Sequence, residues 1–359
     1  MKHRGFAALV ACTLPAAGVA ADATYVDSAG TIHSPAFELP VSGLLDGETQ
    51  AALKAARAPQ PQDSPPPKAC PSWAGAERSQ MAAIRTCEAE AFYVSASYKN
   101  MRGQFDVTIT PQEIGGVHTE VVLPAQGIAK GNAKRVLINV HGGAFLGGAR
   151  TLSRLESIPI ASVGRIKVVS VDYRMAPEYA FPAASEDVAA VYRALLKTYK
   201  PANIGIYGCS AGGLLTAESI AWFVKQHLPL PGAIGMLCEG AAYWTEGDSG
   251  HLIYDVSGQT LGDNPYFKHT DPNDPLAFPV RSRSLLAKFP PTLLVSGTRD
   301  FALSSVVYTH SLLVTQKVEA DLHVWEGLDH AFHLNPALPQ SREVYRVTVD
   351  FFDKHLGSR

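Results

Sequence analysis

The segment Gly208-Cys209-Ser210-Ala211-Gly212 sets a serine between two glycines in the order G-x-S-x-G. It follows the apolar run Ile204–Tyr207 and opens a helix-forming stretch, Gly212 to Gln226. A serine at a sharp strand-to-helix turn is pushed clear of the backbone. The helix starting there aims free N–H groups, and the positive end of its dipole, at the hydroxyl. Ser210 is therefore a candidate nucleophile. An ordinary glycine-rich turn can carry the same letters, so the assignment depends on partners.

A serine hydroxyl is a weak nucleophile until a base takes its proton. Of the twelve histidines, His330 follows the last apolar run, Leu322–Trp325, on a loop reading Gly327-Leu328-Asp329-His330-Ala331-Phe332. His333 is the nearby competitor, and His323 reads as a residue of the run itself. The imidazole needs an acid to fix its tautomer and stabilise its charge. Asp300, just past the run Thr292–Ser296, completes the chain order Ser…Asp…His. A lone Asp there could also cap the helix beginning near Ser304, and Asp329 beside the base is the alternative acid. His141-Gly142-Gly143-Ala144-Phe145 follows a further apolar run, Arg135–Val140. Small residues at that place let backbone N–H groups face a developing negative oxygen. Gly142, Gly143 and Ala144, with Ala211 after the nucleophile, are the candidate oxyanion-hole donors.

The elements that must position these groups are legible from about Phe105 onward. Two alternating segments, Phe105 to Ile109 and Val117 to Leu123, read as an antiparallel pair across Gly115-Gly116. Short Val- and Ile-rich runs follow at Arg135–Val140, Lys167–Val171, Ile204–Tyr207, Ala233–Leu237, Thr292–Ser296 and Leu322–Trp325. Helical stretches lie near Ala183–Tyr199, Gly212–Gln226, Ser304–Lys317 and Ser341–His355. Nearly continuous apolar strands with helical crossovers imply an α/β fold, a mostly parallel sheet covered on both faces. The interval 241–290 breaks the alternation and is rich in aromatics, including Tyr243, Trp244, Tyr254, Tyr266, Phe267 and Phe278. It reads as an insertion above the sheet.

Residues 22–100 form an N-terminal extension of different character. A helix is expected near Gly47–Ala58, then the Pro-rich stretch Pro59–Pro67, then a helix from about Ser72 to Ser95. The remaining chain, 101–359, is the expected catalytic domain. Residues 1–21 read as a signal peptide: Lys2, His3 and Arg4, an apolar run from Phe6 to Leu14, then small residues at Gly18, Val19, Ala20 and Ala21. This points to a secreted or periplasmic protein. Leu9-Val10-Ala11-Cys12 also resembles a lipobox, which would anchor the chain by a lipid on Cys12. No window is long enough for a membrane span. In an oxidising compartment the four later cysteines can form disulfides. Cys70 and Cys87 flank one helical stretch and are expected to pair. Cys209 and Cys238 can pair or remain buried thiols. No Cys/His group has zinc spacing, so no metal or other cofactor is expected.

The chain has 359 residues, 46% hydrophobic and 18% charged, with 31 basic against 33 acidic side chains. That balance excludes a disordered chain and offers no basic excess for nucleic acid. A small-molecule partner is expected, and the sequence is silent on oligomeric state.

These motifs together resemble the hormone-sensitive-lipase-like branch of the α/β-hydrolases, which includes bacterial carboxylesterases and arylacetamide-deacetylase-like enzymes. The resemblance runs from about Phe105 to the C-terminus. Besides the elbow and the His141–Phe145 turn, it rests on Asp172-Tyr173-Arg174-Met175-Ala176-Pro177-Glu178 and on Phe181-Pro182-Ala183-Ala184 through Asp187. It implies an eight-stranded sheet, a Ser210–His330–Asp300 triad, and Gly143 and Ala144 as the donors within the 142–144 stretch. It further implies a lid built from the N-terminal segment and an insertion after the sixth strand. The expected activity is hydrolysis of short-chain or aryl carboxylic esters. Lactone hydrolysis, aryl-amide hydrolysis and a non-catalytic ligand-binding role on the same fold are the alternatives. Two positions depart from the family pattern: Ala144 replaces a glycine, and Cys209 replaces an acid that a Cys209–Cys238 disulfide could substitute.

Overall fold

The computed structural model describes residues 24–57, 70–72, 76–253 and 259–357. The expected signal peptide, Cys12, the Pro59–Pro67 stretch and Tyr254 lie outside the described residues. The chain divides into two compact units, 1–41 and 42–359. Within the first, β1 (Tyr25–Val26) and β2 (Ile32–His33) form a short antiparallel pair.

The second unit begins with α1 (Gly47–Arg57), α2 (Met81–Val94) and α3 (Ala96–Gln104). The antiparallel pair is β3 (Val107–Ile114) and β4 (Val117–Pro124), joined through Gly115 and Gly116. Then come β5 (Val136–Val140), α4 (Leu152–Gly164), β6 (Lys167–Val171), α5 (Ala183–Leu195), β7 (Ile204–Cys209), α6 (Ala211–Lys225) and β8 (Ala233–Leu237). The insertion holds α7 (Asp248–Ile253) and α8 (Arg283–Leu286). The chain closes with β9 (Thr292–Arg299), α9 (Leu303–Thr315), β10 (Ala320–Asp329) and α10 (Pro339–His355).

The sheet has eight strands in the order β10-β9-β8-β7-β5-β6-β4-β3. All pairs from β10 to β6 are parallel, while β4 runs antiparallel to β3 and β6. This is the expected α/β-hydrolase architecture. β5, β7 and β8 are buried throughout, as expected for strands covered on both faces. Ile138, Ile206, Ile234 and Leu294 are fully buried, each contributing roughly 1.5–3 kcal/mol. The chain steps from β5 outward to β6, then returns to place β7 on the other side of β5. That reversal opens a crevice at the carboxyl ends of β5 and β7, where the His141–Phe145 turn and the Ser210 turn both lie.

The structure also departs from the sequence reading. α4 was not expected, because Pro159 sits inside it and breaks the helical signal. The helix read as ending near Ser95 restarts as α3, with the Ser95 hydroxyl capping Tyr98 N–H. β10 continues past Trp325, with a register shift between Trp325 and Asp329.

Candidate active site

Ser210 has φ 58° and ψ −125°, a left-handed turn imposed between β7 and α6. The cost is tolerated because the turn is over-determined. A Cβ on either Gly208 or Gly212 would collide with the Val140 carbonyl oxygen, so only glycine lets β5 pass this close. The Ser210 N–H donates to Leu237 O at 2.8 Å, tying the elbow to β8.

His330 Nδ1 and Asp300 Oδ1 are 2.7 Å apart, and Asp300 is fully buried. Asp300 accepts two further bonds, from the Ser296 hydroxyl at 3.0 Å and from Ala302 N–H at 2.9 Å. With Nδ1–H committed to the carboxylate, Nε2 is left as the basic nitrogen. The Phe301 ring stacks on the His330 ring at 4.1 Å, and Trp244 from the insertion meets Phe301 edge-on at 4.9 Å. Among the described residues the Ser210 hydroxyl makes no hydrogen bond to the imidazole. Such contacts are commonly long until substrate is bound. The competing His333 lies elsewhere. It is buried beside Cys238, and burial pushes it down to about 3.

The candidate oxyanion turn is held by bonds from neighbouring elements. Gly142 N–H donates to Glu156 Oε1 at 2.8 Å. Its amide is therefore spent, and the structure removes Gly142 from the candidate donors. Gly143 (φ 115°), Ala144 (φ 54°) and Phe145 (φ 62°) run in succession through positive φ. Among the described residues the N–H groups of Gly143, Ala144 and Ala211 find no acceptor. His141 is fully buried, which pushes it down to about 4 and keeps it neutral. Its Nδ1–H donates to Gly142 O at 2.8 Å. Its ring stacks on Tyr173, whose hydroxyl donates to His141 O at 2.7 Å.

Sequence reasoning missed two residues that support this turn. Glu156 is buried in α4, and one carboxylate oxygen also accepts from Asn139 Nδ2 at 2.8 Å and Cys209 N–H at 3.3 Å. Burial pushes its carboxyl up to about 7 against those bonds. The available signal was an acid amid apolar residues, in Leu155-Glu156-Ser157-Ile158. Arg85 on α2 bonds Leu146 O at 2.9 Å and Ala176 O at 2.8 Å while forking onto Glu178. Nothing local in the sequence announces that role.

A cavity of about 490 Å³ opens beside the turn, lined by Phe92 and Glu88 of α2, by Gly143, Ala144 and Leu146, and by Thr151 and Leu152. The insertion reaches the same turn: Phe145 stacks on Tyr266 at 4.3 Å, and Asn264 Nδ2 donates to Ala144 O at 3.4 Å. The Cys70–Cys87 disulfide is present and links α2 to the chain before it. Cys209 and Cys238 are free thiols, so no disulfide replaces the family's acid. They converge with His333 into the one Cys/His group among the described residues whose donor atoms could share a metal ion.

The profile of the α/β hydrolase fold family matches residues 137–334. An acetyl-hydrolase of Streptomyces hygroscopicus is 27% identical over 232 residues, covering 62% of this chain and 77% of that protein. The solved structure of an esterase E25 is 29% identical, with a TM-score of 0.74 over 89% of this chain and 98% of that one. An esterase from the bacterial hormone-sensitive lipase family is 25% identical, with a TM-score of 0.68 over 79% of this chain and 94% of that one. With the sheet order, the elbow and the His141–Phe145 turn in place, the chain belongs to the α/β-hydrolase fold family, in its hormone-sensitive-lipase-like branch.

Proposed function

We propose that the protein is a secreted serine carboxylesterase acting on short-chain or aryl esters. The observation that carries the reading is the buried Asp300–His330 pair at 2.7 Å, set at the sheet edge that also holds the strained Ser210 turn and three amides without an acceptor among the described residues. Ser210 Oγ attacks the ester carbonyl carbon while His330 Nε2 takes its proton. The tetrahedral oxygen is held by the amides of Gly143, Ala144 and Ala211. His330 then protonates the leaving alcohol, and the acyl group stays on Ser210. Water, deprotonated by His330, attacks the acyl carbon; the acyl–Oγ bond then breaks, His330 returns the proton to Ser210 Oγ, and the acid leaves. Each amide donor is worth roughly 10²–10³ in turnover.

The cavity beside Ala144 favours a compact acyl or aryl group, with Phe92 as its aromatic wall. Export is supported by the basic-then-apolar start of the chain and by the Cys70–Cys87 bond. Among the described residues no helix is long and apolar enough to cross a membrane. The test is hydrolysis of chromogenic short-chain esters, beside lactone and aryl-amide panels, by wild type and Ser210→Ala. A loss of about 10⁴-fold or more in kcat is expected. Activity retained in the variant rejects the nucleophile, and faster lactone or amide turnover moves the substrate class.

A further inference from the structure

Cys209, Cys238 and His333 play no part in ester hydrolysis, yet three separate elements bring them to one place. Cys209 ends β7, Cys238 follows β8 at φ 56°, and His333 lies in the turn after β10. All three are buried, and one donor atom from each lies within 4.8 Å of the other two. Cys238 Sγ and His333 Nδ1 are 3.9 Å apart. A zinc ion with sulfur at ~2.3 Å and imidazole nitrogen at ~2.0 Å holds such donors roughly 3.5–4 Å from each other. Closing the cluster on an ion therefore takes a contraction of at most about 1.3 Å.

The charge around the cluster has the right sign. Glu156 sits beside Cys209, accepting its N–H at 3.3 Å, and the Asp300 carboxylate acts electrostatically on both sulfurs. A divalent cation would offset that negative field. His333 is buried, and a neutral imidazole offers one ring nitrogen with a free lone pair.

We propose that Cys209, Cys238 and His333 form a binding site for one thiophilic divalent d¹⁰ cation of the Zn²⁺ class, and that filling it inhibits the enzyme. The ion displaces one proton from each thiol, so Zn²⁺ and two S–H groups give two Zn–S bonds and two released protons, with no oxidation. His333 supplies a third ligand through its lone pair.

The inhibitory half rests on the esterase reading; the binding half does not. Cys238 Sγ accepts the Ala331 N–H at 3.3 Å, and Ala331 is the neighbour of His330. Cys209 immediately precedes Ser210. Drawing both sulfurs onto an ion pulls on the base and the nucleophile together. Because the site is closed, inhibition should develop slowly.

The test uses the full chain with its Cys70–Cys87 bond intact and Co²⁺ as a coloured stand-in for zinc. The expected result is one Co²⁺ per chain with thiolate-to-cobalt charge-transfer absorption, displaced by Zn²⁺ and lost in Cys209→Ala. His333→Gln should weaken binding by about tenfold or more, as loss of a ligand does. No charge-transfer band at saturating Co²⁺, or a band surviving Cys209→Ala, overturns the site. If Cys209→Ala does not fold, thiol titration of the unfolded full chain, unreduced, decides: three reactive thiols are expected, those of Cys12, Cys209 and Cys238, and one alone would mean that Cys209 and Cys238 are bonded and the site does not exist. Slow loss of ester turnover on adding Zn²⁺, with the band present, supports the coupling. A band without inhibition overturns the coupling alone, and a protein inactive on every ester still reports on the site through the band.

Discussion

Replacing Glu156 by Gln tests how the oxyanion turn is held. The carboxyl titrates ordinarily at 4.5 and is pushed up to about 7 by burial. Between those values the folded chain holds a proton that the unfolded chain has released. Stability from this group is therefore lost as pH rises from about 4.5 to 7. At ~1.36 kcal/mol per tenfold change in proton affinity, the loss is about 3 kcal/mol. Glutamine cannot ionise and escapes it. The stability difference between wild type and Glu156→Gln should thus shift by about 3 kcal/mol in the variant's favour from ~pH 4.5 to ~pH 8. Urea unfolding at both pH values measures this, and the other buried carboxyls cancel in the comparison.

Activity should move the other way. Two carboxylate oxygens accept three donors, from Gly142, Asn139 and Cys209. An amide has one oxygen, so its NH₂ must face at least one N–H. Losing a bond to a charged acceptor costs roughly 1.5–3 kcal/mol, equivalent to about 10- to 100-fold in kcat if the cost falls on the oxyanion turn. A variant with full kcat, or a stability difference that ignores pH, would refute the reasoning.

Two further changes probe the same turn. Ala144→Gly removes a Cβ from a residue at φ 54° while keeping its amide, and should relieve roughly 1 kcal/mol of left-handed strain. Thermal unfolding should show an unchanged or higher Tm with kcat preserved; a large fall in kcat would show that the methyl group positions the acyl chain. Arg85→Met keeps the length of the side chain but frees Leu146 O, Ala176 O and Glu178 together. It should destabilise by about 2 kcal/mol and lower kcat/KM more than far-UV circular dichroism would suggest.

The sheet was legible because β5, β7 and β8 are buried on both faces and must be apolar throughout. The Ser210 turn was legible because sterics at Gly208 and Gly212 force particular letters into the chain. α4 was hidden by Pro159, a residue that local propensity penalises and buried packing accommodates. Gly142 reads as a donor in the sequence because small size alone says nothing of where an amide points. Its partner, Glu156, lies 14 residues away in the helix the sequence concealed. The Cys209–Cys238–His333 group escaped for a related reason. Its members come from three strand ends, so no spacing rule applies to them.

The oxyanion turn shows why so much of the surrounding chain is committed to it. Ala144 and Phe145 are both non-glycine residues in left-handed conformation, which costs roughly 1–2 kcal/mol each. A turn so strained relaxes unless its ends are fixed. Glu156 fixes one end at Gly142, and Arg85 fixes the other at Leu146 O. Arg85 is a charged partner, and Glu156 becomes one as it ionises around pH 7; each such bond is worth roughly 1.5–3 kcal/mol. Together they match the strain. Between the anchors, Phe145 is clamped on Tyr266 and Phe267 of the insertion, at 4.3 and 5.1 Å. One anchor comes from α4, one from the N-terminal α2 and the clamp from the insertion, so the two segments that look accessory in sequence hold the turn that carries the Gly143 and Ala144 N–H groups. Donors fixed in advance need not reorganise when negative charge forms, and in that state electrostatic stabilisation is most effective.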